Sequence, residues 1–393
     1  MKKLAILGGK PIFKNYLPIA FPSLPPFKEV EDKFKEVFLS GMITNAKYVR
    51  SLEEKIANYL NVKYVVCVAN CTSGLILSLK ALKLKGKVIV PSFTFFATAH
   101  TLSWNNLTPT FVDCHRETFN INVSFLEEKI DQETSAIMPV HIFGNPVLVE
   151  EINKIAQKYS LKVIYDAAHA FGSRYNNSPL AGYGEVEVFS LSPTKPLVAG
   201  EGGVVVTNNK EIAEAITMGR DYGNPGDYHC KMVGLNARMT EVNAITALKN
   251  LELFPERLAK RKEIANFYIS NLKDIPGISF QKIEVNASSC YKDFAIIIDE
   301  ERFGLNRDEL ALVLERENIS SRKYFFPPVH KQEIYKSKDI PLEGLENTNF
   351  ISDHILCLPL FAQMKEEEML SIGEVIKEAH QNTSLIKEVF KER

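Results

Sequence analysis

Short apolar runs rich in valine and isoleucine recur through the first half of the chain and alternate with stretches whose apolar positions fall three and four residues apart. The runs predict strands at 62–69, 87–91, 108–113, 136–141, 162–166, 186–191 and 203–207, and the spaced stretches predict amphipathic helices at 73–84 and 148–159. In the second helix Val149, Ile152, Ile155 and Ala156 fall on one face. Strands that are apolar throughout are buried on both faces, so the pattern predicts an α/β architecture with a mostly parallel sheet. After residue 240 the pattern changes. Two long helices are expected over 241–253 and 256–272, parted by Pro255, because an interior proline removes a hydrogen bond and collides with the preceding turn. A strand at 294–298 and a helix at 307–317 follow, and the alternation then loses its regularity. A boundary near residue 251 is therefore expected, between a large α/β unit over 1–250 and a smaller α+β unit over 251–393. No internal repeat or low-complexity tract interrupts either part.

With 393 residues, 45% of them hydrophobic and 24% charged, the chain can bury an ample core. Its formal net charge of −1 gives no electrostatic case for nucleic acid or an anionic membrane, so a small molecule is the expected partner. The six cysteines show neither metal-ligand spacing nor a disulfide framework, and are read as reduced thiols in a cytoplasmic protein with no metal site. The apolar run after Met1 ends at Gly8, too short for a signal-peptide core, and no later run is long enough to span a bilayer.

In open α/β sheets ligands collect beyond the carboxyl ends of the strands, and here those positions are chemically informative. After 62–69 comes Asn70-Cys71-Thr72-Ser73-Gly74, which opens a helix and offers N–H groups and the Thr72 and Ser73 hydroxyls to a phosphate; taken alone, an ordinary helix cap by Thr72 or Ser73 is the commoner explanation. After 87–91, Phe95 in Ser92-Phe93-Thr94-Phe95-Phe96 can stack on a flat heterocycle, or simply belong to the core. Asp166 ends the next informative strand and is followed by Ala167-Ala168-His169, whose small residues admit a ligand and whose histidine can donate to a ring oxygen. After 186–189 come Ser190, a further phosphate hydroxyl, and Lys195, just before Gly200-Glu201-Gly202-Gly203. A lysine amine can form a Schiff base with an aldehyde cofactor, and a buried carboxylate can keep that cofactor's pyridine nitrogen protonated. Most lysines are solvated surface charges and most lone histidines are structural. The joint pattern, which suggests pyridoxal phosphate, is more specific than any of its parts.

The stretches Pro91-Ser92-Phe93-Thr94-Phe95, Asp166 through Gly172, Ser190 through Lys195 with Gly200-Glu201-Gly202-Gly203, and Gly234-Leu235-Asn236-Ala237-Arg238-Met239 together resemble the DegT/DnrJ/StrS aminotransferases. The resemblance runs nearly end to end. Within that family the chain is most similar to the VioA-like transaminases that aminate C4 of dTDP-4-keto-6-deoxyglucose, through Ala97-Thr98-Ala99-His100, Trp104-Asn105 and Pro139 through Pro146. It implies a pyridoxal 5′-phosphate-dependent transferase of fold type I, like aspartate aminotransferase, taking a keto sugar nucleotide and an amino donor, glutamate in this family. It also implies roles: Lys195 as Schiff-base lysine and proton carrier, Asp166 on the pyridinium nitrogen, Phe95 on the ring face and His169 on the 3-oxygen. Thr72, Ser73 and Ser190 would hold the phosphate together with Asn236 of the partner subunit, which makes the expected assembly a homodimer with shared sites. His330, in Phe326-Pro327-Pro328-Val329-His330, matches a position near the sugar.

Two positions depart from the family pattern: Cys71 stands where relatives usually have glycine, and Pro196 follows the lysine where a polar residue is commoner. Lysine at 195 argues against the 3-dehydratase branch, which has histidine there. Amination of a 3-keto sugar nucleotide or a keto-cyclitol stays open as an alternative. From other classes, a nicotinamide-dependent oxidoreductase lacks its glycine-rich fingerprint after the first strand, and a non-catalytic cofactor-binding protein has no need of the lysine and aspartate.

Overall fold

The computed structural model describes residues 3–336 and 343–391. Its centre is a seven-stranded sheet built from β1 (Tyr64–Val68), β2 (Lys87–Pro91), β3 (Thr108–Val112), β4 (Thr134–Ile137), β5 (Lys162–Asp166), β6 (Val186–Ser190) and β7 (Gly203–Thr207), in the order β1-β7-β6-β5-β4-β2-β3. Parallel pairing joins β3, β2, β4, β5 and β6, and β7 alone runs against its neighbours β1 and β6. The expected strands are all present. β4 is shorter than the expected 136–141, because Pro139 has no N–H to give to a ladder; Val140 then touches Asp166 through a single bridge.

The continuous apolar runs have a simple cause. Ile89, Ile137, Tyr165, Phe189 and Val204 face one core with helices α1 (Glu31–Ser40), α2 (Lys47–Leu60), α5 (Val149–Lys158) and the start of α7 (Glu241–Leu272). Their strand neighbours Val88, Val90, Ile164, Val188 and Val205 face another with α3 (Cys71–Ala81), α4 (Ala97–Trp104) and α6 (Lys210–Gly219). Both faces are covered, so alternation between polar and apolar disappears. Gly74 lets α3 settle directly on the sheet, since a Cβ there would lie 2.8 Å from Val188 Cγ1.

The two helices expected around Pro255 are one helix, α7, which runs unbroken through the proline. Proline costs about 3 kcal/mol inside a helix. Against it stand Phe254 in the first core and Ile264, Tyr268 and Leu272 in another, each worth roughly 1.5–3 kcal/mol when buried, so packing outweighs the defect. That further core covers a three-stranded antiparallel sheet, β8 (Ile278–Phe280), β9 (Phe294–Ile298) and β10 (Ile355–Leu358), together with α8 (Arg307–Arg316) and α9 (Glu366–Gln381). We propose two units, 1–250 and 251–393; α7 passes from the first core to the second between Phe254 and Ile264, a few residues beyond that boundary, and the arm residues Leu4, Ile6 and Leu17 pack with the second core. Among the described residues no helix is long and apolar enough to cross a membrane.

Candidate active site

A cavity of about 270 Å3 opens at the carboxyl ends of β1, β5 and β6. Asp166, the last residue of β5, is 5% exposed. Its Oδ2 accepts from Thr98 Oγ1 at 2.8 Å, and that hydroxyl lies 2.9 Å from Thr94 Oγ1. Its Oδ1 accepts from the Ala168 N–H at 3.1 Å. Burial pushes the carboxyl's pKa up, while the Thr98 and Ala168 bonds and the nearby Lys195 charge pull it back.

Lys195 sits in the turn between β6 and β7, a turn fixed by Lys195 N–H to Ser192 O (3.0 Å), Ala199 N–H to Leu191 O (2.8 Å) and Leu191 N–H to Gly202 O (2.9 Å). The residue is partly buried and lines the cavity with Asp166. Desolvation lowers its amine's pKa to about 8, the Lys292 ammonium adds to the effect, and Asp293 and Asp166 oppose it. Such an amine is substantially neutral near pH 8.

His169 is 6% exposed and stacks on Phe325, ring centroids 6.2 Å apart and planes 11° from parallel. Its Nδ1 accepts from the Phe143 N–H at 3.2 Å, which leaves the proton on Nε2 as a donor. Burial first, then Lys195 and Lys292, hold its pKa well below the ordinary value, so the ring is neutral.

At the start of α3, Asn70 Oδ1 accepts from the Ser73 N–H and Asn70 O accepts from Ser73 Oγ, both at 2.8 Å. The first N–H groups of a helix have no intrahelical acceptor, so those of Cys71 and Thr72 remain for a ligand. Gly203 lets β7 press against this turn, since a Cβ would lie 2.6 Å from the Cys71 nitrogen. Thr72, Ser190 and Phe95 line the cavity, and Ser190 Oγ donates to Ser192 Oγ at 3.3 Å. The structure thus gathers Thr72, Phe95, Asp166, His169, Ser190 and Lys195. It does not bring three others to the cavity of this chain. The Ser73 hydroxyl is occupied in the cap, and Asn236 is exposed and bridged through its backbone to Asp221. His330 is buried with Nδ1 2.6 Å from Ser92 Oγ. Cys71 is accommodated on the cavity wall, its thiol facing Val188 O at 3.7 Å and kept neutral by burial.

Sequence reasoning missed Thr98, Lys292, Asp293 and Tyr324. Thr98 lies in α4, seven residues beyond the end of β2, and although it falls in the stretch Ala97 through His100 nothing local assigns its hydroxyl to Asp166. A usable signal existed for the pair Lys292-Asp293: two charges abutting the apolar strand 294–298 must be either solvated or paired, and here they are paired and buried.

A mostly parallel seven-stranded sheet whose strand ends bring a lysine and a carboxylate into one cavity defines the fold-type-I class of pyridoxal phosphate-dependent transferases. The chain belongs to the DegT/DnrJ/EryC1/StrS aminotransferase family, whose model matches residues 27–377. It is therefore an aminotransferase, in a family that depends on pyridoxal phosphate. It is 37% identical to the dTDP-4-amino-4,6-dideoxy-D-glucose transaminase of Shigella dysenteriae, over 94% of this chain and 99% of that one. To the transaminase of the same name from Escherichia coli it is 34% identical, over 92% of this chain and 98% of the relative. Among solved structures, DesI in the presence of its TDP-sugar product superposes with a TM-score of 0.92 at 30% identity, covering 98% of each chain.

Proposed function

We propose that this protein transfers an amino group from glutamate to C4 of dTDP-4-keto-6-deoxyglucose, using pyridoxal 5′-phosphate, as a cytoplasmic homodimer with shared sites. One observation carries the reading: Lys195, with its amine held to about 8, and a carboxylate fixed by two hydrogen bonds line the same cavity. The C4 acceptor is supported by the names of the relatives at 34% and 37% identity.

The residues fit the cofactor. The free N–H groups of Cys71 and Thr72, with the Thr72 and Ser190 hydroxyls, form an anion-binding end, and Asp166 lies in the same cavity. The Ser73 hydroxyl joins them only by leaving the Asn70 carbonyl. When bound, pyridoxal phosphate supplies the electron sink that lets a proton leave carbon. Lys195 takes that proton and returns it, which requires the neutral amine. Asp166, its direction fixed by Thr98 and Ala168, would offer a carboxylate oxygen to the ring nitrogen. His169, with its Nε2 proton free, would donate to a ring oxygen, and the 45% exposed Phe95 would cover one ring face. Asn236 of the partner subunit completes the phosphate end. For His330 the support is the family motif alone.

The purified protein is expected to be yellow, and borohydride is expected to fix the cofactor on Lys195, located by peptide mass. Supplying glutamate with a panel of keto sugar nucleotides and weighing the products tests the acceptor. Amination of a 3-keto nucleotide or a keto-cyclitol, with the 4-keto-6-deoxyhexose untouched, moves the assignment to that alternative.

A further inference from the structure

The reaction proposed above needs an amino donor, and a donor amino acid carries a carboxylate into the cavity. The walls present three carboxylates, Asp166, Glu201 and Asp293, and two amines, Lys195 and Lys292. The carboxylates repel an incoming anion. Lys195 is unsuited as its counter-charge, because that amine must be neutral to carry a proton. Among the described lining residues, Lys292 is left.

The setting of Lys292 suits this task. Lys292 and Asp293 are each 7% exposed, and Nζ lies 2.9 Å from both carboxylate oxygens of Asp293. The Tyr324 ring centroid is 5.3 Å from Nζ; Tyr324 also lines the cavity, and burial pushes its phenol up to about 12, so it remains a hydrogen-bond donor. The backbone here is fastened from both units. Lys292 N–H donates to Phe143 O at 2.9 Å, and Arg261 Nη2 donates to the carbonyls of Tyr291 (2.6 Å) and Lys292 (2.7 Å). A buried ion pair adds little stability over well-packed apolar residues, so its place on a cavity wall is better explained by a ligand than by folding.

We infer that Lys292 receives the carboxylate of the amino donor, with Asp293 holding its ammonium until the donor arrives and Tyr324 adding a second hydrogen bond. The inference rests on the aminotransferase reading, and glutarate, a dicarboxylate with no amino group, probes it by equilibrium binding. Calorimetric titration of the holoenzyme is expected to show glutarate binding in competition with glutamate. Lys292→Gln is expected to weaken it about tenfold or more. Asp293→Asn, which frees the ammonium, is expected to tighten it. Unchanged affinity in Lys292→Gln, weaker binding in Asp293→Asn, or no binding to the wild type overturns the assignment. The two readings separate in the wild-type spectrum. If glutamate bleaches the yellow holoenzyme while Lys292→Gln binds glutarate normally, only the role of Lys292 falls. If no amino acid bleaches it, the proposed function falls as well.

Discussion

Asp166 and Glu241 are both buried carboxylates, 5% and 1% exposed, in opposite kinds of surroundings. Glu241, the first residue of α7, accepts from the N–H groups of Ala46 (2.9 Å), Tyr48 (2.7 Å) and Val49 (3.0 Å). It caps α2, whose own N-cap residue Ala46 has no side chain able to do so. Asp166 has one hydroxyl and one N–H, and shares its cavity with a partly desolvated amine. Burial alone therefore does not mark chemistry. A buried charge whose bonding capacity is filled by backbone holds the fold together, and one left short of partners beside a cavity is available to a ligand.

The comparison breaks if the two regions respond alike to substitution. The largest effect is expected at Lys195: Lys195→Ala should lower amino transfer at least about 10^4-fold, measured as amino sugar formed, because proton carriage and covalent attachment vanish together. Next, Glu241→Ala should cost about 3 kcal/mol in urea unfolding, since it orphans buried N–H groups at the start of α2. A loss of amino transfer with no loss of stability in that variant would reverse the roles drawn here. Third, the rate should fall as the pH drops, as Lys195 takes up a proton and ceases to be a base; a rate flat from pH 8 to 6 contradicts it.

A smaller effect of opposite sign is expected when Lys195 is replaced without charge. In the cofactor-free chain its amine titrates near 8, against 10.5 for an ordinary lysine, so between those values the unfolded chain holds more protons and stability rises with pH. Below about pH 8 the full cost is present, and Lys195→Met should raise stability there by on the order of 2 kcal/mol, a gain that fades towards pH 10.5. Equal unfolding midpoints at pH 7 would show that the amine bears no such cost. The smallest effect is at Thr98: Thr98→Val leaves Asp166 Oδ2 without its hydroxyl and should slow transfer about tenfold, read in kcat.

Much of this was legible in the chain itself. The strands at 87–91, 162–166, 203–207 and 294–298 fall where their apolar runs place them, since a strand buried on both faces has little freedom in composition. Strand ends then point to Asp166, Ser190 and Lys195 by connectivity alone. Pro255 was misleading because its local penalty is smaller than the packing it joins. Ser73 was ambiguous because one hydroxyl can cap a helix or bind an anion, and spacing does not choose between them. Thr98 and the pair Lys292-Asp293 lie far in sequence from the residues they serve.

By itself, then, the order of residues determined the alternating elements, the mostly parallel sheet and the identity of the lysine and carboxylate at its edge, because these follow from local periodicity and from where strands end. Only tertiary structure decided that α7 runs on through its proline, that the Ser73 hydroxyl turns back to Asn70, and that residues 292 and 293 reach the cavity from the second unit. Those outcomes depend on distances between segments far apart in the chain, where packing and desolvation compete, and no local pattern encodes that balance.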